Sequence, residues 1–125
     1  MSDTIDANSY GFSQSVKASG LLFCSGQVGV AEDGSTPDDP EQQFDLAFAS
    51  LGKLLEAEGC KISDLVELTS FHVDYPNHME AFMKAKARFL GGTLPTWTAV
   101  GVAALGYPET LVEIKAIAKV PDQPV

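Results

Sequence analysis

Residues 95–119 read PTWTAVGVAALGYPETLVEIKAIAK, and this stretch decides the fold. Two strand-like runs flank a turn at Gly106-Tyr107-Pro108, which predicts that the two strands pair with each other. Because side chains alternate along a strand, the second run has one continuous apolar face, which we expect under the helices: Val112, Ile114, Ala116, Ala118 and Val120. Glu113 lies on the opposite face, in the middle of an otherwise apolar strand. A carboxylate in that position indicates either a site or an interface.

The rest of the sequence predicts one domain over residues 1–125, with 45% hydrophobic and 20% charged residues. No apolar run approaches the ~18 residues that a membrane helix needs, so no membrane partner is expected. The N-terminus is polar and acidic, which predicts a cytoplasmic protein. The net charge of -9 argues against a nucleic-acid partner, because phosphate recognition needs clustered basic residues. Arg88 is the only arginine, which also argues against a ligand held by several guanidinium groups.

The order of predicted elements is β-β-α-β-α-β-β, which is an α+β domain with two helices on one face of a mixed sheet. Residues 1–10 are expected to form a loose arm, and residues 121–125 a tail. Gly26 and Gly29 interrupt the second strand and predict a bulge or a close backbone approach. The elements expected between the two ends are strands within 12–30, a helix from Asp39 to Gly59, a strand at 65–73, a helix that Asn77 caps and that runs to Leu90, and strands at 96–103 and 110–120.

Two helices can cover only one face of this sheet, and the other face is expected to be apolar as well, with Trp97, Ala99, Leu111 and Ile117 on it. Natural surfaces avoid large apolar patches, so this face predicts a closed symmetric oligomer. If Trp97 and Glu113 point to the same side of the sheet, they line one cavity at a subunit boundary.

Glu113 has two interpretations. A partly desolvated glutamate can act as a general acid or base, or hold a water molecule. Alternatively, Glu113 forms an ion pair, with Lys115 or across a subunit interface, and only fixes the register of the strands.

The remaining candidate residues are two cysteines and two histidines. Cys24 and Cys60 stand alone, without the ligands that a zinc site would need, so no metal is expected and both read as buried apolar residues. Because Cys24 lies next to Ser25 and Gly26, a reactive thiol at this position is the alternative interpretation. His72 is a candidate for the same cavity, although its neighbours favour a structural role, and His78 is expected on the surface.

Several segments, in order, resemble the RidA/YjgF family, also known as the reactive intermediate deaminase or endoribonuclease L-PSP group. The resemblance runs from about Tyr10 to Val120, and SFH with PxWTAVGV is most similar to the YjgH-type branch. The segments that carry it are GFSQ at 11–14, LLFCSGQVGV at 21–30, EAEGC at 56–60, ELTSFHVD at 67–74 and VEIKAIA at 112–118.

This resemblance implies a chorismate mutase-like fold and a homotrimer with clefts between adjacent subunits. Archetypal members hydrolyse reactive imines and enamines to keto acids and ammonia, without a cofactor or metal. In those members an arginine two residues after a proline holds the substrate carboxylate, and a glutamate on the last strand positions water. An aromatic residue and the backbone of an SGQ element complete the pocket.

Carried over residue by residue, the resemblance places the glutamate at Glu113. It also implies that the substrate-binding set consists of Phe12, Ser25, Gly26, Trp97 and Ala99, with Gln27 completing the SGQ element. Three positions depart from the family pattern: Phe12 replaces a tyrosine, Met83 an asparagine, and Trp97 the arginine. An indole cannot make the bidentate contact of a guanidinium with carboxylate, so hydrolysis of the usual 2-imino acids is not expected.

The sequence therefore leaves three functions open. The first is hydrolysis of an imine, an enamine or another C–N bond in a small-molecule metabolite, with water placed by Glu113. The second is a trimer that binds or scavenges a metabolite without catalysis. The third, endoribonuclease or translation-inhibitor activity, is disfavoured by the acidic charge.

Overall fold

The computed structural model describes residues 7–121, with the side chains of residues 7 and 8 left aside. Its element order is the predicted one. The bounds are β1 (Ser15–Ala18), β2 (Leu21–Val28), α1 (Pro40–Ala57), β3 (Leu65–Val73), α2 (Met79–Leu90), β4 (Thr96–Val102) and β5 (Val112–Lys119), with short 3-10 helices at Ala7–Tyr10 and Ile62–Asp64. The predicted loose arm and tail lie mostly outside the described residues, but the end of the arm, at Ala7–Tyr10, is a helical turn.

The helix ends are partly as predicted. Asp39 caps α1 by accepting a hydrogen bond from the Glu41 backbone N–H at 3.1 Å, and Pro40 occupies the first turn. The prediction that Asn77 caps α2 is wrong. His78 holds the cap position with a left-handed φ of 70° and makes no side-chain capping bond. Asn77 lies one residue earlier, in a turn in which its backbone N–H donates to the Asp74 carbonyl at 2.9 Å.

All five strands form one sheet in the order β1-β2-β5-β3-β4. β3 pairs in parallel with β4 and antiparallel with β5, so it lies between the two strands of residues 95–119. The prediction that those two strands pair with each other is therefore wrong. A tight hairpin needs about two to five connecting residues, whereas residues 103–111 form a longer loop that carries the chain past β3.

Both helices pack on one face of the sheet. The predicted apolar face of β5 lies beneath them, with Val112, Ile114, Ala116 and Ala118 at most 1% exposed. Phe44, Phe48 and Phe82 contribute the aromatic part of this core, with ring centroids of Phe44 and Phe82 5.4 Å apart. The sequence pattern therefore assigned the buried face of the last strand correctly.

Trp97 and Ala99 are on the helix-covered face, not on the open one. Their partners in the parallel register are Leu68 and Ser70, which are 1% exposed beneath the helices. Glu113 is paired with Phe71 on the opposite face. The expectation that Trp97 and Glu113 share a face of this sheet is wrong, because it assumed that β4 and β5 were direct neighbours.

As predicted, no element of the described chain covers the other face of the sheet. The side chains on this open face differ, however, from the expected ones. Trp97 and Leu111 pack against the core, whereas Ile117 lies on the open face opposite Phe23. Val16, Phe23 and Val100 are 52%, 41% and 36% exposed there. An uncovered apolar surface of this kind is typical of an interaction surface.

Candidate active site

One cavity of about 390 Å³ contains the carboxylate of Glu113. The β2 and β5 strands supply its floor, the segment before β1 supplies one wall, and the loop after β4 supplies the other. Its lining residues are Tyr10, Phe12, Gly26, Val28, Gly106, Tyr107, Pro108 and Glu113. Three of the predicted site residues, Phe12, Gly26 and Glu113, are thus brought together.

The predicted bulge in β2 gives the Glu113 side chain its space. The register against β5 shifts between Cys24 and Gln27, which places Gly26 beside Glu113. A Cβ atom at Gly26 would lie only 2.5 Å from both Cγ and Cδ of Glu113. Glycine is therefore required by the close approach of this side chain, and a larger residue would have to move the carboxylate.

Side chains of the SGQ element stabilise the bulge instead of facing the cavity. Ser25 Oγ donates to the Ser13 carbonyl at 2.7 Å. Gln27 is buried, and its Nε2 donates to Gln14 Oε1 at 3.0 Å and to the Ser25 carbonyl at 3.1 Å. Ser50 Oγ on α1 donates to Gln27 Oε1 at 2.6 Å. These bonds tie the bulge to the first helix and so fix the position of Gly26.

The Glu113 carboxylate is partly buried and has no ion pair within residues 7–121. Lys115 follows two residues later on the same face but is exposed and forms no ion pair with it, so an internal Glu113–Lys115 pair is absent from the described chain. Burial raises the pKa of the Glu113 carboxyl above its ordinary value. A partly buried carboxyl with a raised pKa accepts a proton more readily than an exposed carboxyl does, which suits it to general acid–base catalysis.

Buried Gln43 holds the loop wall of the cavity in place. Its Nε2 donates to the carbonyls of Pro37 at 2.9 Å and Glu109 at 3.2 Å, and its Oε1 accepts from the Leu111 N–H at 2.8 Å. The hydroxyl of Tyr107 donates to the Gly34 carbonyl at 2.8 Å, which joins the same two loops a second time. One amide side chain thus connects α1, the loop after β2 and the loop that carries Tyr107.

Replacing Gln43 by leucine is expected to lower the free energy of unfolding by about 2 to 4 kcal/mol, because a backbone N–H and two carbonyls lose their partner. Urea denaturation at one fixed protein concentration measures this change. Gln42→Leu is the matched control, because Gln42 is exposed on the same helix turn. Equal effects of the two substitutions would show that Gln43 does not clamp the loops.

Trp97 forms part of a buried polar chain on the other side of the sheet. Its Nε1 donates to Ser70 Oγ at 2.8 Å, and that hydroxyl lies 2.7 Å from His72 Nε2. Lys86 sits over the indole at 4.2 Å, and the Phe82 ring is 6.1 Å away. Trp97 and Ala99 therefore do not line the Glu113 cavity within one protomer.

His72 is 3% exposed and packs edge-on against Phe82 with ring centroids 4.6 Å apart. Burial lowers the pKa of His72 from 6.5 to about 4, so the ring is neutral at pH 7. It does not reach the Glu113 cavity, and the structural interpretation is the correct one. His78 is on the surface, as predicted, with its Nε2 4.0 Å from an Asp74 carboxylate oxygen.

The reactive-thiol interpretation of Cys24 is wrong. Cys24 is 2% exposed on the helix-covered face, opposite Ala116. Burial, followed by the nearby groups of Cys60 and Glu58, raises the pKa of its thiol to about 11. A thiol held in the protonated form is a poor nucleophile. Cys60 is also buried and directs its Sγ toward the Lys119 carbonyl at 3.5 Å.

Sequence reasoning missed the two tyrosines of the cavity, Tyr10 and Tyr107. Tyr107 was visible as part of a turn signal, but its contribution to the wall follows only from the path of the loop across β3. Met83, at the position of the family asparagine, is 49% exposed on α2 and lies outside the cavity. Within the described part of the chain no group of three or more His, Cys, Asp or Glu side chains could hold a metal ion. No helix among the described residues is long and apolar enough to span a membrane.

Comparison with known proteins identifies the family to which the chain belongs. The family model for endoribonuclease L-PSP matches residues 3–120. The chain belongs to this family. It is the RidA/YjgF family that the sequence motifs predicted.

Individual relatives are consistent with the predicted branch. The chain is 43% identical to the RutC family protein YjgH of Escherichia coli over 113 residues, which cover 90% of this chain and 85% of that protein. A solved structure of a protein named YjgH, 40% identical, superposes with a TM-score of 0.84 over 94% of this chain and 90% of that chain.

Two further relatives have names or structures that bear on chemistry. Mouse 2-iminobutanoate/2-iminopropanoate deaminase is 31% identical over 86% of this chain and 79% of its own length. Escherichia coli TdcF, solved with bound serine, is 28% identical and superposes with a TM-score of 0.80 over 86% of this chain and 87% of that chain. The two-helix, five-stranded architecture is therefore the family fold.

Proposed function

We propose that this protein binds a small metabolite in the Glu113 cavity and hydrolyses its C–N bond, with Glu113 positioning the water. The observation that carries the proposal is an acidic side chain with a raised pKa and no ion pair in the described chain, at a cavity with aromatic walls. Maintaining such a group has a cost in stability, which is typical of a functional position. Deaminases among its relatives are consistent with C–N chemistry.

The reaction that fits these groups is imine or enamine hydrolysis. Glu113 accepts a proton from water as the oxygen attacks the carbon of the protonated C=N bond, which gives a carbinolamine. Glu113 then returns the proton to nitrogen, and the carboxylate that results accepts the hydroxyl proton as the C–N bond breaks and the C=O bond forms, so that ammonia or an amine leaves. One carboxyl that alternates between its two protonation states can perform all three transfers.

We further propose that the protein assembles as a homotrimer through the open face of the sheet. The exposed Val16, Phe23 and Val100 side chains on that face support this assembly. In sedimentation equilibrium the expected mass is three times that of the 13.3 kDa chain. A monomer at micromolar concentration would contradict it.

The usual 2-imino acids are not expected to be substrates, because no basic side chain of this chain lines the cavity to hold a carboxylate. With 2-aminoacrylate generated in situ by a dehydratase, we expect keto-acid formation at the uncatalysed rate. Glu113→Gln should then leave this rate unchanged, because there is no acceleration for the substitution to abolish. Acceleration matching that of a family member with the arginine, together with its loss in Glu113→Gln, would contradict this substrate assignment.

A non-catalytic binding function is the second candidate. It is favoured by the composition of the cavity, because Glu113 is the only carboxyl among the described residues that line it and the Tyr107 hydroxyl is already bonded to the Gly34 carbonyl. Endoribonuclease activity has the least support, since an RNA phosphate backbone would meet an acidic protein and a cavity without basic groups.

A further inference from the structure

The Glu113 cavity combines a carboxylate with aromatic rings, and no described residue places a cationic side chain in its lining. Tyr10, Phe12 and Tyr107 contribute three rings to its lining, and the remaining lining residues are two glycines, Val28 and Pro108. The faces of aromatic rings attract positive charge through their quadrupoles. Carboxylate and rings therefore favour the same sign of ligand charge.

The basic side chains of this protein are placed elsewhere. All eight lysine and arginine residues fall within the described range, and none lines the cavity. Arg88 is bonded to Asp45 at 2.9 Å, and Lys86 lies over Trp97 on the opposite side of the sheet. Lys17 and Lys84 pair with Glu58 and Glu80. Within one protomer, a ligand carboxylate would thus enter an acidic cleft without a counterion.

The geometry of the cavity also fits a small organic ligand. About 390 Å³ is within the usual size of small-molecule sites. Phe12 and Tyr10 are 42% and 75% exposed at the rim, where they can close over a ligand. The Tyr107 ring is held by its hydroxyl bond to Gly34, so one aromatic wall is fixed before a ligand arrives.

We infer that the cavity selects cationic ligands, namely primary ammonium ions or iminium ions without a carboxylate group, held between the aromatic rings and Glu113. This inference rests on the proposal that the Glu113 cavity is the ligand site. It assigns the substrate as an iminium derived from a simple amine, so that the products are a neutral aldehyde or ketone and an ammonium ion. The reaction that supplies such a substrate is the oxidation of an amine.

Three unreactive probes of similar size test the inference: phenethylammonium, 3-phenylpropan-1-ol and 3-phenylpropanoate. Titrations followed by amide NMR at about 150 mM salt limit long-range effects of the net charge. We expect phenethylammonium to bind at least tenfold more tightly than 3-phenylpropanoate, with shifts at the amides of Gly26, Gly106 and Tyr107. Fluorescence of the sole tryptophan is unsuitable, because Trp97 lies on the other side of the sheet.

Variants locate the source of the preference. Glu113→Gln should weaken phenethylammonium binding at least fivefold and leave the alcohol within twofold. Glu80→Gln removes the same charge from an exposed position on α2 and should leave all three affinities within twofold. Equal binding of the cation and the anion, an unchanged preference in Glu113→Gln, or shifts confined to other regions would each overturn the inference.

The test also separates this inference from the proposed reaction. The probes bind without turnover, so a protein that selects the ammonium ion but hydrolyses no imine would retain the inference and lose the catalytic proposal. A protein that hydrolyses an imine but prefers 3-phenylpropanoate would retain the catalytic proposal and lose the inference about ligand charge.

Discussion

Replacing Gly26 by alanine is expected to displace the Glu113 carboxylate and to weaken phenethylammonium binding about fivefold or more, as Glu113→Gln does, because the charge no longer faces the ligand. The new methyl group would occupy space that Cγ and Cδ of Glu113 fill in the native structure. Since a glutamate side chain can rotate away, the fold should survive, at a cost of about 1 to 3 kcal/mol in the free energy of unfolding.

Gly106→Ala is the matched control for this substitution. Gly106 lines the same cavity, but nothing lies within 4 Å of a Cβ atom at this position, so the free energy of unfolding should change little. A double-mutant cycle with Glu113→Ala identifies the source of the stability loss. If the clash with Glu113 is the cause, Gly26→Ala should cost less in the Glu113→Ala background. The same cost in both backgrounds would show that the bulge itself, and not the carboxylate, requires glycine.

The second large effect expected is a loss of stability in mild acid that depends on His72. Its pKa is about 4 in the folded protein and 6.5 in the reference state, so between these values the unfolded chain binds a proton that the folded chain does not. The contribution of neutral His72 to the free energy of unfolding is therefore complete above pH 6.5 and is lost progressively as the pH falls toward 4. At 1.36 kcal/mol per pKa unit the loss is at most about 3 kcal/mol.

Urea denaturation at pH 7 and at pH 4.5 measures this dependence. Carboxylates titrate in part of the same range, so the comparison that matters is between variants. His72→Gln should reduce the difference between the two pH values, whereas His78→Gln, at the other and exposed histidine, should not. Parallel behaviour of the wild type and His72→Gln would mean that the buried ring does not resist protonation.

The features that follow from local periodicity could be predicted from the sequence. The alternation from Val112 to Val120 fixed both the buried face of β5 and the open position of Glu113. Gly26 and Gly29 indicated close approaches, and the structure contains both: Glu113 fills the space at Gly26, and Gln43 backbone atoms, with Cα only 2.8 Å from a built Cβ, fill it at Gly29. These features depend on one strand at a time.

The features that depend on which strands are neighbours could not be predicted in the same way. Trp97 alternates as regularly as Glu113, but its face depends on the position of β3, which is distant in sequence. Because β3 lies between β4 and β5, Trp97 and Glu113 are on opposite faces of the sheet, whereas direct pairing of β4 with β5 was expected to place them on the same face. It also directs the loop with Tyr107 to the cavity, so the misassigned tryptophan and the missed tyrosine have one cause.

The placement of β5 has a consequence for synthesis of the protein. Of the five strands described, β5 is the last to leave the ribosome, yet it is the central strand of the sheet. Until it emerges, the β1-β2 hairpin and the β3-α2-β4 unit share no strand pair, and the edges of β2 and β3 that will receive it are unpaired. Such edges can pair with other chains. A nascent chain or a product that ends before residue 112 therefore cannot close the sheet, and we expect it to depend on chaperones or to be degraded.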